Sequence, residues 1–366
     1  MKKIYSIESI RAFACLGVFL CHFKGAFFPN SIWVQFLMKT PFNILFSGNT
    51  PVRLMFVVSG LVLSYKYFMR ECYEEVPYDI LKRYFRLGIP VFFACMFSYV
   101  LMKCHLMLNV EVATITHSEN FLGIFNNFEP NLMLFLQEGL YGVLFLGSNA
   151  YVAPMWTMVY EMLGSILVLG LISLFRNNQK LRILFYVVFL LLYRNYYAYF
   201  ILGMIISDFI CYSNIQKNWS KKKEIICMIL VLLSGLYICN PRYIDGSWFD
   251  FWIFSIACLV MFPCFIYSTT INKVFGERNR VCMWIAKNSF AIYLIHWPVI
   301  ESFSCRSYVK LLTYFDYRIA GVITLVTSLA VVLILAETFR RFIESAAQII
   351  GNNIVRALKV KVIRSL

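Results

Sequence analysis

The chain is a succession of apolar runs of about 20 residues, the length a helix needs to cross the roughly 30 Å of bilayer hydrocarbon. They fall near 7–28, 50–68, 87–107, 155–175, 180–195, 197–213, 224–240, 249–270, 286–305 and 317–338. The fifth and sixth are the most weakly divided, by Tyr193-Arg194-Asn195. In lipid every backbone N–H and C=O must find a partner within the protein, so only helices or closed barrels span. The runs lack the two-residue alternation of a barrel strand, which leaves helices. Composition agrees: 60% of the 366 residues are apolar and 14% charged, where a soluble domain has about 25% charged. A soluble interior of this size could not hide 35 Phe and 23 Tyr. Water-soluble enzyme, disordered regulator and secreted disulfide scaffold are excluded. The expected fold is an all-α integral membrane protein, a bundle of about ten transmembrane helices.

Charge sets the expected orientation. With the N-terminus inside, the inner segments hold 24 of the 34 Lys and Arg, the outer segments eight, and Arg11 and Arg53 fall within spans. The inner set runs from Lys2 and Lys3 through Lys82, Arg83, Arg86, Arg182, Lys217 and Lys221 to the tail; the outer set includes Lys103, Arg242 and Arg306. This bias places both termini in the cytoplasm. It also accounts for the net charge of +15 without a nucleic-acid partner. Most of the 12 Cys lie in apolar runs and behave as small hydrophobes, with no CxxC. A bond among the outward-facing Cys104, Cys239 and Cys305 is open. Glu8 and Arg11 interrupt the N-terminal apolar stretch, and no small-residue cleavage site follows, so the first span reads as uncleaved.

Asn131 to Gly147 is apolar enough to suggest another crossing, but Gln137 and Glu138 sit at its centre and a crossing would invert every later loop. An interfacial or re-entrant element on the outer face is expected instead. The loop from Cys104 to Pro154 holds no Lys or Arg, as an exported loop should. Residues 1–345 form the membrane-embedded domain, and 346–366 a basic cytoplasmic tail with apolar spacing suited to an interfacial helix.

Ionisable groups inside spans are costly and raise functional hypotheses. Arg11 and His22 are eleven residues apart, three helical turns plus roughly 20°, so they project from one face about 16 Å apart. They read either as satisfied polar groups or as part of a site. Glu161, in Pro154-Met155-Trp156-Thr157-Met158-Val159-Tyr160-Glu161, opens span four. It is either a helix-start carboxylate or the orienting acid of a histidine. Arg83 and Arg86, with Lys82, form either inside-positive anchoring or a phosphate clamp. Ser59-Gly60 suits close helix packing. His296, in Tyr293-Leu294-Ile295-His296-Trp297-Pro298, is a second base or a pocket-lining group. His105 and His117 show no metal-ligand spacing.

In this order, these pieces resemble the acyltransferase-3 family of membrane O-acyltransferases. Arg11 with His22 is similar to the family's R-x10-H motif, and Phe56-Val57-Val58-Ser59-Gly60 to its FFxxSG segment. Lys82-Arg83-Tyr84-Phe85-Arg86 is similar to its RxxR stretch, and Trp156 to Glu161 to its W-S/T-L-x-x-E motif. Ser289 to Pro298 resembles its S-x-x-x-Y-L-x-H-x-P signature. Glu337-Thr338-Phe339-Arg340 resembles the closing E-x-P-F-R without its Pro. The resemblance runs from about residue 4 to residue 345.

The resemblance implies transfer of an acyl group, usually acetyl from acetyl-CoA, to a hydroxyl of a cell-surface or lipid-linked glycan at a bacterial inner membrane. No metal is implied. A sugar hydroxyl is a poor nucleophile and needs a base. That role falls to His22, with Glu161 holding the imidazole's tautomer or charge and Arg11 lining the route between donor and acceptor. Arg83, Arg86, Lys82 and Ser59 are expected at the CoA site; Trp156, Tyr160, Tyr293 and His296 are expected to line the acceptor pocket. An acetyl-His22 intermediate is an open alternative. A transporter or flippase of lipid-linked saccharide would show paired halves with interrupted helices at matching positions, and the sequence has none. A membrane glycosyltransferase would need basic residues for a pyrophosphate in the outer loop, which has none.

Overall fold

In the computed structural model the described residues are 5–70, 72–176, 178–213, 220–238 and 247–365, and every regular element among them is a helix. Helices occupy all ten apolar stretches: α1 (Tyr5–Phe27), α2 (Asn49–Arg70), α3 (Val76–Lys103), α4 (Met158–Leu174), α5 (Gln179–Leu192), α6 (Tyr196–Tyr212), α7 (Lys221–Ile238), α8 (Trp248–Tyr267), α9 (Arg280–Val299) and α10 (Tyr317–Phe339). A last helix, α11 (Ser345–Ser365), follows α10 through a wide turn at Arg340–Glu344. Among the described residues six helical segments are long and apolar enough to cross a bilayer: those of α1, α2, α3, α4, α8 and the α10–α11 rod. The others fall short for visible reasons. Helices α5 and α6 have 14 and 17 residues, α7 opens on Lys221-Lys222-Lys223-Glu224, and α9 carries Arg280 and Lys287. The apolar rod from Tyr317 to Val360 has 44 residues, about 66 Å of helix, twice the hydrocarbon thickness.

The chain divides into two compact units, Met1–Val18, Gln35–Val76 and Gly164–Ser289 in the first, and Phe19–Val34, Pro77–Leu163 and Phe290–Leu366 in the second. In the first, α2 and α6 pack backbone against backbone. A Cβ on Gly60 would lie 2.1 Å from the Phe200 carbonyl oxygen, and one on Gly203 2.1 Å from that of Val57. Ser59-Gly60 therefore does the small-residue packing expected of it. Among the described residues of this unit two guanidiniums are buried, and both are ion-paired. Arg53 Nη1 donates to Asp250 Oδ2 at 2.6 Å. Arg182 grips Asp208 with two bonds, 2.6 and 3.0 Å, and Tyr186 Oη donates to the same carboxylate at 3.1 Å. Arg182, counted from sequence as an inner anchor, is 1% exposed. A cavity of about 540 Å³ between α5 and α6, lined also by Trp252, opens beside this pair and touches none of the residues singled out from sequence.

In the second unit, Leu132–Leu146 is a short apolar helix, wide-turned from Glu138, and the chain folds back on it after Gly147 to make a hairpin. It begins beside the C-terminal part of α3, with Phe135 on Tyr99 (5.2 Å between centroids), and descends with Gly139 against Phe92. At the bottom Tyr84 Oη donates to the Leu140 carbonyl at 3.1 Å and Phe145 stacks on Tyr84. The chain then returns so that Ser98 Oγ donates to the Tyr151 carbonyl at 2.6 Å, and Tyr151 Oη bonds both the N–H and the C=O of Asn131. Glu138 is the reason the hairpin holds. Only 1% exposed, it accepts from Ser148 Oγ and from the N–H groups of Ala150 and Tyr151. The charge that argued against a crossing pins the return strand of the hairpin.

Cys305 is buried, its thiol donating to the Ile300 carbonyl at 3.1 Å, and both it and the exposed Cys104 are unbridged. A residue closing the apolar run at 286–305 packs where the helix turns wide, because its sulfur finds a carbonyl released by that turn. Cys239, Lys2, Lys3, Lys217 and Arg242 lie outside the described residues.

Candidate active site

The second unit brings His22, from α1, against His296, from α9. His22 Nδ1 lies 2.8 Å from His296 Nε2, with ring planes 10° apart and centroids 5.1 Å apart. The other nitrogen of His296, Nδ1, lies 2.7 Å from the Tyr293 carbonyl and 3.1 Å from that of Ile292, one turn back along α9. A carbonyl oxygen can only accept, so His296 Nδ1 carries a proton. With both rings neutral, His296 Nε2 is the bare nitrogen that accepts in the N···N hydrogen bond. His22 Nδ1 is then the donor, and the lone pair of its ring sits on Nε2. His296 is fully buried, whereas His22 keeps partial exposure.

Aromatic side chains wall the pair. The Trp297 ring meets His22 edge-on at 5.2 Å, and Phe121 lies 6.2 Å from it. Phe121 and Phe125 both stand edge-on to Trp297, at 5.6 and 5.4 Å. Phe121 comes from the loop expected on the outer face. It can reach α1 because residue 25 is glycine: a Cβ there would fall 2.6 Å from the Phe121 ring.

One turn before His296, Tyr293 Oη donates to the Pro154 carbonyl and takes a bond from Thr157 Oγ1. This clamps the Trp156-to-Glu161 segment onto α9, with the rings of Trp156 and Tyr160 edge-to-face at 6.0 Å. One turn beyond Thr157, Glu161 accepts from Arg83 Nη2, an ion pair between α4 and α3. From sequence Arg83 belonged to the inner end of its span and Glu161 to the outer start of the next. Their contact puts both at one depth. Arg83 stands seven residues inside α3, about 10 Å from its start.

The sequence-predicted residues therefore sort into groups. His22, His296 and, through its backbone carbonyl, Tyr293 form one constellation; Arg83 and Glu161 form another, and no hydrogen bond joins Glu161 to His22. Lys82 Nζ reaches Asp79 at 3.4 Å, and Arg86 is exposed. Arg11 and Ser59 belong to the first unit, Arg11 at 4.0 Å from Glu8 and Ser59 buried on α2. Sequence reading missed Glu301 and Asn126. Glu301 is fully buried, accepts from Asn126 Nδ2 at 2.5 Å, and its backbone carbonyl accepts from Leu108 N–H at 3.0 Å. The loop holding Leu108 and Asn126 is thus fastened just beyond the helix that bears His296. A lone carboxylate inside the ninth apolar run, five residues past His296, was the available signal.

A proton-accepting imidazole held within a helical membrane domain fits one group of proteins by sequence as well. The model of the acyltransferase domain of that group matches residues 4–337. The chain belongs to the acyltransferase-3 family. It is similar to O-acetyltransferase PaAT-1 of Phomopsis amygdali, at 21% identity over an alignment covering 89% of this chain and 77% of the relative. No solved structure matches. As a member of the acyltransferase-3 family, the protein is a multi-pass membrane O-acyltransferase, an enzyme that moves an acyl group from a donor to an acceptor.

Proposed function

We propose that the protein transfers acetyl from acetyl-CoA to a hydroxyl of a cell-surface or lipid-linked glycan, with His22 as general base. The observation that supports this most is the hydrogen-bond chain from the Tyr293 carbonyl through His296 to His22 Nδ1, which leaves the lone pair on His22 Nε2. The acceptor hydroxyl gives its proton to that nitrogen while its oxygen attacks the thioester carbonyl. The tetrahedral intermediate collapses by breaking the C–S bond, and the departing CoA thiolate takes the proton back from His22. His296 fills the role that sequence assigned to Glu161, fixing the tautomer and accepting from the imidazolium N–H.

Glu161 instead holds Arg83, and that pair stiffens the start of the RxxR stretch, from which Lys82 and Arg86 meet the CoA phosphates. Trp156 and Tyr160 offer rings for the acceptor. Arg11, on the cytoplasmic half of α1, lines the donor's route. In this reading both termini face the cytoplasm, and the loop bearing Phe121 faces outward.

The test is purified protein in nanodiscs, given acetyl-CoA and a glycan acceptor, with thiol release and O-acetyl NMR signals followed together. Wild type should release one thiol per O-acetyl formed, and His22→Ala should do neither. A transporter would leave the thioester intact. Undiminished transfer by His22→Ala would defeat the proposal.

A further inference from the structure

The tail after Phe339 carries six Lys and Arg against one acid, Glu344. It does not hang from the domain. Its helix α11 is seated antiparallel on the first turns of α3, the helix that carries Lys82, Arg83 and Arg86. At Gly351 the two backbones approach closely: a Cβ there would sit 3.4 Å from Phe85 Cβ and 3.8 Å from Lys82 Cα. Two turns on, Lys359 Nζ lies over the Tyr78 ring, 4.7 Å from its centroid. Ala347, Gly351 and Val355, spaced by four, are all buried, so this stripe of α11 is turned into protein.

Asp79 takes Lys82, and Glu337 takes Arg340 and Arg341 at 2.7 and 2.5 Å. Glu344 lies among Arg86 and Arg340. Arg356, five residues past Gly351, is exposed. The seating therefore packs a helix carrying the exposed Arg356 and the half-buried Lys359 against the helix that carries Lys82 and the exposed Arg86.

We infer that α11 forms one side of the donor site and binds phosphates of CoA, with Arg356 and Lys359 completing what Lys82 and Arg86 begin. The inference rests on acetyl-CoA being the donor, as proposed above. Coenzyme A carries a 3′-phosphate and a diphosphate, more anionic groups than two side chains on one helical turn can meet, and a second basic helix supplies the remainder. Anionic lipid headgroups share this chemistry, so the experiment separates the sources.

Binding of CoA and of 3′-dephospho-CoA is measured for the full chain in phosphatidylcholine nanodiscs. The variants are Gly351→Leu, which wedges the helices apart, and Arg356→Glu, which alters only an exposed side chain. Wild type should prefer CoA, and both variants should weaken CoA roughly tenfold and narrow the preference. In turnover, KM for acetyl-CoA should rise while kcat and the acceptor KM hold. Variants that bind CoA as wild type does would overturn the inference. So would a defect seen only when phosphatidylglycerol is present, which would assign the surface to lipid. If wild type binds no CoA, the donor assignment fails and this inference falls with it. If wild type binds and the variants match it, only the role of α11 fails.

Discussion

The two units differ in the polar contact at their centre, although the second also holds one ion pair, Arg83 with Glu161. In the first, each buried guanidinium meets a carboxylate and lies near an aromatic ring: Arg53 with Asp250 and Phe254, Arg182 with Asp208 and Phe68. Charge cancels charge across helices, and the pairs lock α2 to α8 and α5 to α6. In the second, the central polar contact is between two imidazoles, with no carboxylate on either ring. A neutral hydrogen-bond chain fixes tautomers and leaves one nitrogen basic. The contrast teaches that an ionisable residue within a span is not functional by position alone. What distinguishes the site is unused proton-accepting capacity held in a fixed direction.

Four experiments would break or sharpen this division, in descending order of expected effect. His22→Ala should cut acetyl transfer by about 10³-fold, within the usual range for a positioned base, with the melting temperature in detergent unchanged. Asp208→Leu should cost about 3–5 kcal/mol of stability by leaving Arg182 buried and unpaired, while the double variant Arg182→Met with Asp208→Leu regains most of it. Thermal melts followed by size-exclusion fluorescence would read this. A variant that melts normally but is inactive would place the first unit's pair in the chemistry and erase the contrast.

Third, His296→Leu should slow transfer by about 10²-fold. An orienting carboxylate in a triad is worth up to about 10⁴, and an uncharged imidazole should be worth less. His296→Gln keeps a carbonyl acceptor for His22 Nδ1 and should recover part of the loss in kcat. Equal loss in both variants would show that packing, not tautomer control, is the role of His296. The smallest effect is expected of Tyr293→Phe, which removes the bonds to Thr157 and Pro154 and should cost about 1 kcal/mol in a melt, with kcat little changed.

Much of this site was legible as parts and little of it as pairs. The helical positions of His22, Glu161 and His296 followed from apolar runs and motif order. Their partners did not, because residues 22 and 296, or 83 and 161, meet only through packing of distant segments. Glu161 was expected to serve a histidine; it takes Arg83 because the hairpin after α3 lets α4 start beside the deeper turns of α3. The hairpin itself was readable, since a glutamate in the middle of an apolar stretch argued against a crossing. Glu301 was not singled out, although the same argument applied to it.

What the order of residues decided alone is the class of structure. Lipid offers no hydrogen bonds, so long apolar runs must close their own backbone bonds locally, and a local requirement can be read locally. The three-dimensional packing decided the chemistry. Which nitrogen of His22 keeps its lone pair depends on His296, and that in turn on a carbonyl one turn back along a helix 274 residues away. Proton placement is set by contacts at hydrogen-bond distance, and only folding brings those contacts about.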